Sequence, residues 1–68
     1  MATMTTRQAD KAIKSGNPVM VVGFAGIVFR FTIVARDRTT VRGAYLWTDG
    51  EVYEGVFSRR DLTLVEGV

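Results

Sequence analysis

The chain has neither cysteine nor histidine. The first absence excludes disulfides and thiolate zinc sites. The second removes the commonest metal ligand and the commonest general base, so most enzyme chemistries lack their usual parts. Proline occurs once, as Pro18, and tryptophan once, as Trp47. There is also no long apolar run. The stretch from Val19 to Ala35 is broken by Arg30 and Thr32 and punctuated by Gly23 and Gly26, well short of the ~20 residues of a spanning helix. The opening segment, MATMTTRQADKAIK, is polar and carries Asp10, unlike a secretory signal. These absences lead to the expectation of a soluble, cytoplasmic protein with no membrane partner.

What is present is apolar for its size. The 68 residues are 47% hydrophobic and 24% charged, too apolar for a disordered tail and enough for one domain, 1–68, at the lower limit of self-sufficient cores. Nine basic residues against seven acidic ones give a net charge of +2. Seven of the nine are arginine, whose planar fork suits phosphate or carboxylate, although acids stand among them. Nucleic acid is permitted by this balance, not demanded.

Thr5 and Gln8 have the spacing of a capping box, and Ala9, Ala12 and Ile13 form one apolar stripe. Gly16-Asn17-Pro18 ends that pattern, which predicts a helix over about 5–15. Strands are expected near 19–24, 27–36, 40–48, 51–57 and 62–66. In the second, Ile27, Phe29, Phe31, Ile33 and Ala35 alternate with Val28, Arg30, Thr32, Val34 and Arg36, which predicts that the odd set faces the core. In the third, Val41, Gly43, Tyr45 and Trp47 share a face, with Gly43 marking a bulge or bend. Asp49-Gly50 signals a hairpin with a type I′ turn, and Ser58-Arg59-Arg60-Asp61 reads as a single 3₁₀ turn.

A helix and then five short strands, the second and third long, with a one-turn link before the last, resembles the Sm-like (Hfq-like) family within the SH3-like barrels. Asn17-Pro18-Val19-Met20-Val21-Val22 stands where that family has its first strand, Gly26 at its first hairpin glycine, and Asp37 at its loop aspartate. The family's loop asparagine does not come after Asp37, and Phe57-Ser58-Arg59-Arg60 replaces its second motif. The resemblance implies a strongly bent antiparallel barrel over about 18–67, an oligomer and RNA as ligand. The opening Thr5–Lys14 with its Gly-Asn-Pro exit is also similar to small phage and mobile-element proteins, which implies an accessory protein that binds a host macromolecule.

Arg36, Arg38 and Arg42 around one turn, with Arg59 and Arg60 in the last link, either form a phosphate-binding rim or are solvated turn residues neutralised by Asp37 and Asp61. Tyr45 and Trp47 read as core and Tyr53 as the exposed aromatic able to stack a base. Asp49, Glu51 and Glu54 read as turn and surface residues, with no metal or catalytic role. No cofactor site is expected. One excess stands out: the first two strands are apolar on both faces. The helix can cover part of the outer face with Ala9, Ala12 and Ile13, and a subunit interface the rest. The expectation is therefore a non-enzymatic, homo-oligomeric small barrel that binds RNA or single strands through Arg36, Arg38, Arg59, Arg60 and Tyr53. Its rival is a protein-interaction module, from a phage or mobile element, that binds a host protein.

Overall fold

A computed structural model describes residues 3–65. Helix α1 (Thr6–Ser15) is followed by β1 (Val19–Val22), a 3₁₀ turn (Phe24–Gly26), β2 (Val28–Arg36), β3 (Thr40–Leu46), β4 (Val52–Ser58), a second 3₁₀ turn (Arg59–Asp61) and β5 (Thr63–Leu64). The capping box is present. The Gln8 amide N–H donates to Thr5 Oγ1 at 3.1 Å, and the Thr5 N–H donates to Gln8 Oε1 at 2.9 Å. Gly16 ends the helix at φ 70°, a left-handed conformation that glycine adopts without steric cost.

All strand pairs are antiparallel, in the order β4-β3-β2-β1-β5. Among the described residues the two edge strands, β4 and β5, do not pair with each other, so hydrogen bonds do not close the sheet into a barrel. The sheet nevertheless curls. Phe57 on edge strand β4 reaches past β3 to pack on Phe29 and Phe31 of β2, with ring centroids 5.7 and 5.4 Å apart.

Inside this curl lies the core of Met4, Ala9, Ala12, Val21, Phe29, Phe31, Ile33, Val41 and Leu62. The alternation of β2 holds through Phe29, Phe31 and Ile33. It then breaks at a bulge, where Ile33 pairs with Gly43 but Ala35 pairs with Arg42. The extra residue, Val34, reverses the parity of the last two residues of the strand. Ala35 moves to the outer side, contrary to simple alternation, and Arg36 now lies opposite Val41, on the core side.

Packing places other elements differently from their expected positions. Ala9 and Ala12 of α1 are buried in the same cluster as Phe31 and Ile33, so the helix covers the inner face and not the outer one. β1 ends at Val22 rather than at 24, because Ala25 (φ 60°) and Gly26 (φ 73°) turn the chain back at once. The β3–β4 hairpin is not type I′. Gly50 has positive φ and Asp49 does not, and the bonds Gly50 N–H to Trp47 O (3.1 Å) and Trp47 N–H to Glu51 O (2.9 Å) enclose a three-residue loop. β5 is two residues long, and the end of the expected fifth strand at 66 lies outside the described residues, as does the barrel limit at 67. Among the described residues no helix is long and apolar enough to cross a membrane.

Candidate functional site

The two arginine-bearing loops do meet. The β2–β3 turn is closed by Asp37 N–H to Thr40 O (2.9 Å), and Arg59 N–H donates to Thr39 O at 2.7 Å, which ties the second 3₁₀ turn to it. The four arginines of that edge nevertheless divide into two pairs. Arg36, turned inward by the bulge, forks onto the Asp10 carboxylate of α1 through Nε and Nη2, the latter at 3.0 Å from Oδ2. This pair clamps the helix to the sheet. The hydrogen bond holds the Asp10 carboxyl below its ordinary range and raises Arg36 above its own. Arg59 Nη1 donates to the Met4 carbonyl at 2.7 Å, while Met4 N–H donates to Leu62 O at 2.7 Å, so this guanidinium fastens the segment before α1.

Arg38 and Arg60 remain exposed, with no partner among the described residues. They are free to meet a ligand at this edge, as is Arg42 of the expected rim, which is exposed on the outer face of β3 between Ala35 and Val56.

Tyr53 is not part of that edge. In the β3–β4 hairpin, Thr40 pairs with Ser58 at the arginine end, while Tyr45 pairs with Tyr53 five residues further along, roughly 17 Å away at the strand rise of ~3.4 Å. Tyr53 is exposed, as expected, but its hydroxyl donates to Asp49 Oδ2 at 2.6 Å and its ring lies 5.8 Å from that of Tyr45. That bond, with the Glu51 N–H on Oδ1, holds Asp49 below its ordinary pKa and raises that of Tyr53. Tyr45 and Trp47 pack against the core but are only half-buried. Asp49 is thus a hairpin residue, and among the described residues no group of acidic side chains is placed to hold a metal ion.

The other candidate surface is the outer face of the sheet. Register places Met20, Arg30, Leu46 and Val52 in one row across four strands, Thr32, Ala44 and Glu54 in the next, and Arg42 with Val56 beyond. Val28, Val34, Leu46, Val52 and Val56 are between 38% and 66% exposed. A shallow concavity of about 490 Å³ lies among Val34, Arg42, Ala44, Glu54 and Val56. The two-faced apolar character of β2 was legible in its sequence. The contribution of β4 was less so, because Val52 and Val56 gain meaning only once register sets them beside Leu46 and Arg42.

Compared with known protein families, curated proteins and solved structures, the chain matches none.

Proposed function

We propose that this chain is a non-enzymatic protein-interaction module that works as a homo-oligomer, assembled through the outer face of its sheet. The observation that carries the reading is that face: five large apolar side chains, 38% to 66% exposed, on the side of the sheet away from the helix. Two further features favour a second copy as occupant. With principal extents of 29 × 24 × 22 Å, a whole face offers on the order of 700 Å², near the ~800 Å² per partner of a standard interface. The face also carries both signs, with Arg42 and Glu54 on neighbouring strands lining one concavity, so a two-fold axis through it can set Arg42 of one copy against Glu54 of the other. The curled sheet, the helix-first order and the 3₁₀ link support the Sm-like or SH3-like barrel reading. A host protein is the further partner implied by the likeness to phage and mobile-element proteins.

Light scattering behind a sizing column tests this. The wild type is expected as a dimer or larger at high micromolar concentration, and Val56→Glu as a folded monomer. A monomeric wild type overturns the reading.

A second reading is favoured by the bond between Arg59 and Thr39, which brings Arg38 and Arg60 to one edge. Here single-stranded RNA is held by its backbone. Anisotropy of labelled RNA at ~50 mM salt decides it, because phosphate contacts are strongest there. Binding that disappears in Arg38→Ala/Arg60→Ala supports it, and no binding by the wild type removes it.

A further inference from the structure

A second concavity lies on the other side of the sheet, away from the proposed oligomer face. It has a volume of about 190 Å³ and is lined by Phe24, Phe29, Trp47, Phe57 and Asp61. Phe29 is almost fully buried and forms the floor. Its ring centroid is 5.8 Å from that of Trp47, nearly edge-on at 61°, and 5.7 Å from that of Phe57. Phe24 is placed differently. It is 78% exposed and stacks on no other ring among the described residues, yet it lines the same cavity.

The turn that carries Phe24 is tightly defined. Gly23 N–H donates to Ile27 O at 2.7 Å, and the chain reverses through Ala25 in the left-handed region, where a side chain is unfavourable. That conformation leaves Phe24 at the mouth of the cavity instead of in the core. The one charged side chain in the lining is Asp61, whose carboxylate has no hydrogen bond or ion pair among the described residues.

We infer that this cavity binds the head of an organic cation, a methylated ammonium group, held by the faces of Phe24, Trp47 and Phe57 with Asp61 as counter-charge. The chemistry on each side matches. Aromatic faces carry negative quadrupole density and attract cations within ~6 Å of the ring. Apolar walls favour an alkylated ammonium over the strongly hydrated ammonium of an unmodified lysine, which loses more solvation on entry. A cavity of about 150 Å³ admits benzene, so a tetramethylammonium-sized group fits this one. The same carboxylate disfavours phosphate, which argues against a nucleotide in this position.

Trp47 is the chain's sole tryptophan, so its fluorescence reports on the cavity directly. Tetramethylammonium chloride and choline are titrated against sodium chloride of equal ionic strength and against 3,3-dimethyl-1-butanol, the neutral isostere of choline. Saturable change with both cations, at least ten-fold weaker for the isostere, is expected. Phe24→Ala, at an exposed position, is expected to weaken binding by about 2- to 30-fold, as removal of one cation–π partner requires. Asp61→Asn should weaken the cations without changing the isostere. A trimethyl-lysine peptide separates the sources: tighter binding than choline assigns the site to a modified polypeptide, and equal binding to a free or lipid-borne cation. Equal affinity for the neutral isostere, no effect of Phe24→Ala, or a response to adenosine with none to tetramethylammonium overturns the inference.

Discussion

The two faces of β2 are built from neighbouring residues of one strand and meet opposite environments. Phe29, Phe31 and Ile33 point into the curl, where α1, β4 and the segment before β5 close over them, and each is at most 5% exposed. Val28 and Val34, of the same apolar class, point outward, and nothing else in the described chain covers them. Hydrophobic residues therefore do not by themselves mark the core of this protein. What distinguishes the faces is where the helix and the second 3₁₀ turn fall, and the difference separates residues that hold the fold from residues left over for a partner.

The largest expected effect tests that separation. Phe31→Ala removes a fully buried ring that touches Phe29, Tyr45 and Phe57. Large-to-small changes of this kind cost about 3–5 kcal/mol. A chain of this length has a total stability of only about 3–10 kcal/mol, so the variant is expected to be largely unfolded in a urea titration monitored by circular dichroism. Val34→Thr keeps the β-branched shape at the exposed bulge and is expected within about 0.5 kcal/mol of wild type. Similar losses for the two variants would show that the outer face is as much a part of the fold as the inner one.

The bulge supplies the next effect. A Cβ on Gly43 would stand 1.9 Å from the Thr32 carbonyl oxygen, a backbone atom of the neighbouring strand that cannot swing aside. Gly43→Ala is expected to push β2 and β3 apart at the bulge and to cost about 1–3 kcal/mol, as overpacking does. Hydrogen exchange should show the loss as faster exchange of amides around Thr32 and Ile33. Unchanged stability would mean that the bulge, and with it the inward turn of Arg36, is not fixed by this contact.

Much of this was legible locally. The capping box, the Gly16 stop, the alternation through Ile33 and the one-turn link at 59–61 all lie within a few residues of their cause. The bulge was legible in part: Gly43 marks a bulge or bend in β3, but the extra residue, Val34, is on β2, and nothing in β2 itself signals it. The arginines were obscured for the same reason. Arg36 and Arg59 stand next to Asp37 and close to Asp61, yet the carboxylate Arg36 meets is that of Asp10, 26 residues away, with Asp37 offering only its backbone carbonyl, and Arg59 reaches the Met4 carbonyl, 55 residues away. Alternation singles out Tyr53 as an exposed aromatic but does not say at which end of the hairpin it stands, and the register puts it five residues along the strand from the arginine end. The open sheet itself depends on how far the curl brings β4 toward β5, which no local pattern encodes.

The smallest expected effect concerns the clamp that gives the inner face its lid. Because Val34 is an extra residue, Arg36 turns toward α1 and meets Asp10; among the described residues the outer face has no such tie. The Arg36 hydrogen bond lowers the Asp10 pKa below its ordinary 3.8, so the folded chain binds a proton less readily there than the unfolded chain does. Its stabilisation is complete above pH ~4 and disappears as pH falls through the folded value. Asp49 is lowered too, by Tyr53 and the Glu51 amide, and loses its contribution over the same range. The two are separated by substitution. Asp10→Asn should have a lower urea midpoint than wild type at pH 6, with the difference closing as pH falls below 3.8 and shrinking at high salt, as for an exposed ion pair. Asp49→Asn should show the acid dependence with less sensitivity to salt, since its partners are a phenol and a backbone amide rather than a cation. Parallel pH profiles for wild type and Asp10→Asn would mean that α1 is held by Ala9 and Ala12 alone, and that the turn of Arg36 toward the helix comes from strand parity without adding to stability.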